Sequence, residues 1–332
     1  MNYKTYQDLS NDIHKNLNKI YHLNVDLVVG IPRSGMIPAY MIALALNVHC
    51  IDLKSFIDNR PLKKGRTRKL KNDTGEINPH NYQNILLVDD TIASGNSLKQ
   101  ELELIPNELK NKITTFAVYS DRAKRDDIDI FLEYLSSPRV FQWNVYHHGI
   151  LKDACVDIDG VLCVDPTEEQ NDDGEKYIEF LLNEKPHMLL SGEIHSLVTN
   201  RLEKYRPQTE KWLKKYGIKY KNLVMLNLPS KEERQRLNAN YTHKAEYYKK
   251  SKTSFFIESD ISQAEVIHQK TGKPVYCADT NEMIDSNYIK TITKSPFFFL
   301  KATKRKISTM LPENIKSVLR PNYHLIKRIV KK

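Results

Sequence analysis

The chain has 332 residues, and at about 150 residues per domain that length predicts two domains. With 40% hydrophobic and 28% charged residues it is too apolar for a disordered chain, no apolar run nears the roughly 20 residues that span a bilayer, and the four cysteines make no C-x-x-C pair that would indicate a disulfide framework or a zinc site. The formal charge of +10 first suggests nucleic acid or an anionic membrane, but 12 basic residues and one acid fall in 290–332, while residues 1–289 hold 39 basic and 40 acidic residues and are close to neutral.

Four short apolar runs read in chain order as buried parallel strands: Val25 to Ile31, Ile85 to Val88, Thr114 to Tyr119 and Val140 to Tyr146. Helical patterns follow Gly35 and Gly95, so residues 1–149 alternate as β and α, the pattern of a doubly wound sheet. A second series runs through Ala154 to Ile158, Ser196 to Thr199, Asn222 to Leu226 and Ser254 to Ile257, ending near Pro274 to Cys277. The fold class is therefore α/β, with two tandem α/β domains at 1–149 and 150–289 and a basic amphipathic tail at 290–332. Between the first two strands, Asp58 to Tyr82 is a polar stretch long for a loop inside a compact domain. It carries Arg60, Lys63, Lys64, Arg66, Arg68, Lys69 and Lys71, so the ligand expected beneath it is anionic.

Ile85 to Ser97 (ILLVDDTIASGNS) passes from a hydrophobic strand through two carboxylates into a turn of small residues and then a helix. The turn Ala93, Ser94, Gly95, Asn96 and Ser97 puts backbone N–H groups and two hydroxyls at a helix N-terminus, where a phosphate monoester is favoured. Asp89 and Asp90 would repel that phosphate but can accept from vicinal ribose hydroxyls beside it. Acids and cradle together describe a sugar phosphate.

This segment closely resembles the motif that binds phosphoribosyl pyrophosphate (PRPP) in type I phosphoribosyltransferases, departing mainly at Thr91, where an aliphatic residue or serine is commoner. Val28 to Gly35 (VVGIPRSG) matches that family's pyrophosphate loop. The resemblance implies that Asp89 and Asp90 hold the ribose, Ala93 to Ser97 the 5-phosphate, and Arg33, Ser34 and Gly35 the pyrophosphate. It also implies that 58–82 is the family's lid and that Mg²⁺ chelates pyrophosphate and ribose oxygens. The base that activates the acceptor is left open among Asp89, Asp90 and the lid residues.

Ala154 to Leu162 (ACVDIDGVL) places Asp157 and Asp159 two residues apart at a strand end, with alternation turning both to one face. One carboxylate can attack phosphorus while the other moves a proton. Leu197 to Asn200 (LVTN) then ends a strand with a hydroxyl and an amide, and Ser254 to Asp260 (SFFIESD) ends another with two acids. That order resembles the haloacid dehalogenase (HAD) superfamily of phosphatases over about 150–289. The resemblance implies Asp157 as nucleophile, Asp159 as general acid/base and Thr199 as phosphoryl ligand. Mg²⁺ would sit on Asp157, the Asp159 carbonyl and either Glu258 or Asp260, because Glu258-Ser259-Asp260 departs from the adjacent aspartates of many relatives. Lys244 is taken as the neutralising lysine over Lys249 and Lys250. Neither the interval from Gly160 to Ser196 nor that from Leu226 to Lys244 has room for a large cap domain, so an open site is expected.

A transferase that makes a phosphate monoester, joined to a phosphatase, resembles the bacterial ribofuranosyltransferases of surface-polysaccharide assembly over about 1–289. The resemblance implies transfer of ribofuranosyl 5-phosphate from PRPP to a hydroxyl of a lipid-linked glycan acceptor, then hydrolysis to a β-ribofuranoside. The alternatives are a nucleotide-salvage or orotate-type transferase with a fused phosphatase, and a PRPP-sensing RNA-binding regulator. The tail interleaves its bases with Phe297 to Leu300, Ile307, Met310, Leu311, Val318, Leu319, Leu325, Ile326, Ile329 and Val330, the composition of a segment lying in an anionic interface rather than on nucleic acid. The expected place is the cytoplasm, peripheral on the inner face of the membrane.

Overall fold

The structure, a computed structural model, describes residues 1–63, 65, 69–71, 75–237 and 239–286. The expected tail and its membrane contact lie outside the described residues, as do Lys64, Arg66 and Arg68 of the basic stretch. The chain divides into two compact units. The first takes Met1–Lys152 with Met188–His195 and Leu213–Lys221, the second Asp153–His187, Ser196–Trp212 and the described residues from Asn222 onward.

The strands in chain order are β1 (Asn2–Lys4), β2 (Leu27–Gly30), β3 (His49–Asp52), β4 (Ile85–Ile92), β5 (Ile113–Ser120), β6 (Ile130–Tyr134), β7 (Arg139–Phe141), β8 (Ala154–Val156), β9 (Glu193–Leu202), β10 (Lys219–Leu226), β11 (Phe255–Glu258), β12 (Val275–Cys277) and β13 (Glu282–Ile284). In the first unit a five-stranded sheet has the order β3-β2-β4-β5-β6, parallel throughout. Its Val, Ile and Leu runs are buried on both faces, as an all-parallel sheet requires. Val28, Leu86, Val88, Phe116 and Val118 pack with helices Tyr6–Asn16 and Met36–Leu46 on one face. Leu27, Val29, Ile85, Leu87 and Ala117 pack with Phe56, Leu98 and Leu109 on the other. The run expected as a fourth core strand at Val140 to Tyr146 is instead β7, which pairs with β1 in a separate two-stranded sheet; β3 and β6 take the outer places of the main sheet.

The strand order reverses between β2 and β4. In such sheets the crevice outside the carboxyl ends at the reversal receives ligands, and there lie Ile31 to Gly35 and Asp89 to Ser97. A six-stranded sheet has the order β10-β9-β8-β11-β12-β13. Strands β9, β8, β11 and β12 are parallel, and β13 runs antiparallel at the edge. Its reversal falls between β8 and β11, whose register sets Ile257 opposite Val156 and brings Asp157 beside Glu258. Among the described residues no helix is long and apolar enough to cross a membrane.

Two candidate active sites

In the first unit, alternation along β4 separates the two acids. Asp89 is half-buried while Asp90 is buried, 2% exposed. Ser34 Oγ donates to Asp90 Oδ1 at 2.8 Å, and Trp143 Nε1 donates to Asp90 Oδ2 at 2.6 Å. Both oxygens of Asp90 are thus engaged within the protein, where they tie the Ile31 to Gly35 loop to the end of β4. Trp143 is fixed in turn by stacking on Phe141 and Tyr119, with ring centroids 4.8 and 6.4 Å apart. Of the pair expected on the ribose, Asp89 is the one whose side chain is left for a ligand, although it accepts from the Asp90 N–H through Oδ1 at 2.8 Å. Burial, and then the charge of Asp90, push the Asp89 carboxyl up to about 8.

The turn after β4 opens the helix Asn96–Glu103, with Gly95 as its N-cap at φ 83°, a left-handed backbone that glycine adopts without penalty. Ala93 O accepts from Arg125 Nη1 at 2.6 Å. The same guanidinium grips Asp127 through Nε and Nη2 at 2.7 and 2.6 Å and reaches Asp121 at 2.9 Å, so the turn is braced by a side chain that sequence reasoning had not singled out. Ser94 Oγ accepts from the Asn96 N–H at 3.3 Å. Gly35, Arg33 and Ser34 follow β2 across the same crevice, with the Pro32–Arg33 peptide cis. Of the basic stretch, Arg60 pairs with Asp58 at 3.1 Å, and Lys69 and Lys71 touch Asn47 through their backbones.

In the second unit, Lys244 Nζ donates to Asp157 Oδ2 at 2.5 Å, Glu258 Oε2 at 2.7 Å and Gln263 Oε1 at 3.1 Å. Lys244 is 1% exposed, whereas Lys249 and Lys250 are exposed. Burial lowers the Lys244 pKa, but Asp157 and Glu258 outweigh it and the group is held up as an ammonium. Two buried carboxyls share that one charge, so burial pushes Asp157 well up against the pull of Lys244. Asp159 is caught in a fork from Arg201, with Nε 3.1 Å from both oxygens and Nη2 2.6 Å from Oδ1. Thr199 is fully buried, its Oγ1 accepting from the Arg201 N–H at 3.2 Å; its neighbour Asn200, rather than Thr199, lines the cavity.

That cavity, of about 170 Å³, is lined by Asp157, Asp159 and Lys244 on one side and by Asn200, Arg234 and Asn240 among others. Asp260 also lines it, while Glu258 is fully buried beneath. The donor set fits the expected Mg²⁺ in charge but not in placement. Its excess of carboxylates suits a cation, and burial with neighbouring acids pushes Asp165 up as well. The placement does not suit one: the Lys244 ammonium stands between Asp157 and Glu258, Asp260 caps the helix Ile261–Thr271 through the Gln263 N–H at 2.8 Å, and among the described residues no three His, Cys, Asp or Glu side chains are grouped to hold a metal. Arg201, Gln263, Arg234 and Asn240 were not anticipated. Arg201 had a signal, because it stands two residues after Thr199 on a strand and so shares its face.

A family model, described as the phosphoribosyl transferase domain, matches residues 2–149. The adenine phosphoribosyltransferase of Halothermothrix orenii is 30% identical over 119 residues, 32% of this chain and 69% of that one. Among solved structures, purine phosphoribosyltransferase from Pyrococcus horikoshii is 20% identical with a TM-score of 0.31, covering 43% of this chain and 92% of its own. The xanthine-guanine-hypoxanthine phosphoribosyltransferase of Helicobacter pylori is 19% identical, also at 0.31, covering 43% and 93%; at these scores neither structure enters the argument. The residues matched by the family model carry the paired acids, the turn after β4 and the loop after β2, and on the 30% identity to a relative covered over 69% of its length the chain belongs to the phosphoribosyltransferase family.

Proposed function

We propose that the protein transfers ribofuranosyl 5-phosphate from PRPP to a hydroxyl of a glycan acceptor and then hydrolyses the 5-phosphate. The observation that carries this reading is the presence in one chain of a phosphoribosyltransferase domain and of the buried Asp157–Lys244–Glu258 constellation beside a polar cavity. The first makes a phosphate monoester and the second is built to attack one, in keeping with the resemblance of 150–289 to HAD phosphatases. A nucleotide needs its 5-phosphate; a ribofuranosyl glycan does not.

In the first step Asp89 accepts from the ribose hydroxyls, the 93–97 turn holds the 5-phosphate, and Ser34, steadied by Asp90, presents the loop to pyrophosphate. Magnesium enters as part of the PRPP donor. In the second step an Asp157 oxygen bonds to phosphorus as the ester P–O bond breaks, and Lys244 offsets the gathering charge. Asp159 takes the proton of the water that later attacks the phosphoaspartate, a role open to a carboxylate held by Arg201. The leaving oxygen takes its proton from Asp159 as well, which gives up part of that fork to carry it, and the attack of water frees inorganic phosphate and restores Asp157.

A purine acceptor is the second reading, favoured by the adenine phosphoribosyltransferase relative. Incubation with PRPP and Mg²⁺ separates the two when purines are supplied in one arm and glycans in another, the latter free or lipid-linked in anionic vesicles. We expect a ribofuranosyl glycan by mass spectrometry, with vesicle-borne acceptor preferred through the basic 290–332 tail; a purine nucleotide as sole product selects the second reading.

The Asp89 shift also sets a pH dependence. Below about pH 8 the free protein keeps Asp89 protonated, so kcat/KM for PRPP should rise through pH 8 as the acceptor form appears. Asp90→Asn removes the second cause of the shift and should move that rise downward by on the order of one pH unit; an unmoved profile excludes Asp89 as the titrating group. Stability runs the opposite way. From about pH 4, the ordinary Asp value, up to about 8 the folded chain keeps a proton that the unfolded chain releases, so the contribution of Asp89 to stability falls as pH rises across that window.

A further inference from the structure

We infer that the cavity of the second unit reads hydroxyl groups on the molecule that bears the phosphate, with Asn200, Arg234 and Asn240 as its specificity-determining residues, so that the ester it takes is a sugar phosphate. The inference rests on the phosphatase reading and adds to it the residues that select the ester.

The contacts that orient these residues start at Lys244. An ammonium only donates, so the Gln263 atom 3.1 Å from it is the amide oxygen. That oxygen also receives the Asn200 Nδ2 donor at 3.1 Å, which fixes the orientation of Asn200 and leaves its Oδ1 as the remaining acceptor. Among the described residues Asn200 Oδ1 is buried without a hydrogen-bond partner, and so are Asn240 Oδ1 and Arg234 Nε. The Arg234 guanidinium is held next to Asn200 because its Nη1 donates to the Asn200 backbone oxygen at 2.9 Å. All three residues line the cavity that also contains Asp157 and Lys244.

Each buried polar atom without a partner costs about 1–3 kcal/mol, and three around one cavity point to a ligand that completes them. Its chemistry follows from the mixture of one free donor and two free acceptors. Phosphate oxygens would satisfy Arg234 Nε but offer nothing to the amide oxygens. A hydroxyl both donates and accepts, and neighbouring hydroxyls of a furanose can meet both kinds of atom. Pro166 and Tyr177 are the apolar lining residues, which is little surface for stacking a nucleobase.

The test compares phosphate release from ribose 5-phosphate and from 4-nitrophenyl phosphate, which has no hydroxyl, by the full-length protein and by the Arg234→Met and Asn240→Ala variants. Wild type should prefer ribose 5-phosphate in kcat/KM. Each variant should lose about tenfold on that ester and less than about twofold on the aryl ester. Equal losses on both esters would make these residues phosphate holders or structural supports and overturn the inference, as would no loss on either. Should Arg234→Met fail to fold, Arg234→Lys keeps the charge without the Nε donor and is held to the same outcomes. If wild type transfers from PRPP but releases phosphate from neither ester, the phosphatase reading itself falls, and this inference with it.

Discussion

Asp157→Asn should leave PRPP-dependent transfer intact and reduce phosphate release by on the order of 10³-fold or more, so that a phosphorylated glycan accumulates and is seen by mass spectrometry. An amide of the same shape cannot supply the attacking oxygen. The substitution should not damage the fold, because two buried carboxyls share one ammonium and burial pushes Asp157 up. Losing its charge leaves Lys244 paired with Glu258, so the thermal midpoint should stay level or rise. Lys244→Met is the contrasting case. It strands Asp157 and Glu258 in the interior without a counter-charge, which costs about 3–5 kcal/mol for a broken buried pair, and phosphate release should be lost together with stability. An Asp157→Asn protein that released phosphate at the wild-type rate, or accumulated no phosphorylated product while transferring normally, would remove Asp157 as the nucleophile.

Much of this arrangement was legible because its determinants are local. Ile85 to Val88 and Leu27 to Gly30 are runs of strand-forming apolar residues buried on both faces, and the acids and small residues that end them are written in the same short segments. Strand β3 escaped because His49 and Asp52 interrupt its two apolar residues, and β6 because Glu133 and Tyr134 break its pattern. Val140 and Phe141 read as core strand and are indeed buried, but they pair with the polar segment Asn2–Lys4, more than a hundred residues away in sequence, which no local pattern announces. The side chains that hold each acid were hidden for the same reason. Asp89 and Asp90 look equivalent in sequence, and Ser34 and Trp143, 56 and 53 residues away, distinguish them. Asp157 and Asp159 are likewise separated by Lys244 and Arg201, each supplied by a different element.

Gly35→Ala should abolish PRPP-dependent transfer while leaving phosphate release from a simple ester near its wild-type rate. The reason is space rather than backbone conformation. Gly35 has φ −62°, a value alanine adopts freely, but a Cβ there would lie 2.5 Å from Ile31 O, 2.8 Å from Val88 O and 3.0 Å from Asp89 Cα. All three are backbone atoms, so no side chain can swing aside. Ile31 is itself tied to that strand end, its N–H donating to Val88 O at 2.9 Å, and relief must come from lifting the loop off β4. Overpacking of this kind costs about 1–3 kcal/mol, which the unit can survive folded, but the lift also carries Ser34 away from Asp90 and spoils the crevice at the strand reversal. A position about 1 Å wrong is enough to lose about 10²-fold in rate. Gly95→Ala meets a different neighbour, the Asp127 carboxylate at 2.2 Å from the added Cβ, a side-chain end that can move, although φ 83° adds strain of its own. Transfer should therefore fall further in Gly35→Ala than in Gly95→Ala, and the reverse order would show that the turn after β4, rather than the loop after β2, limits the binding of PRPP.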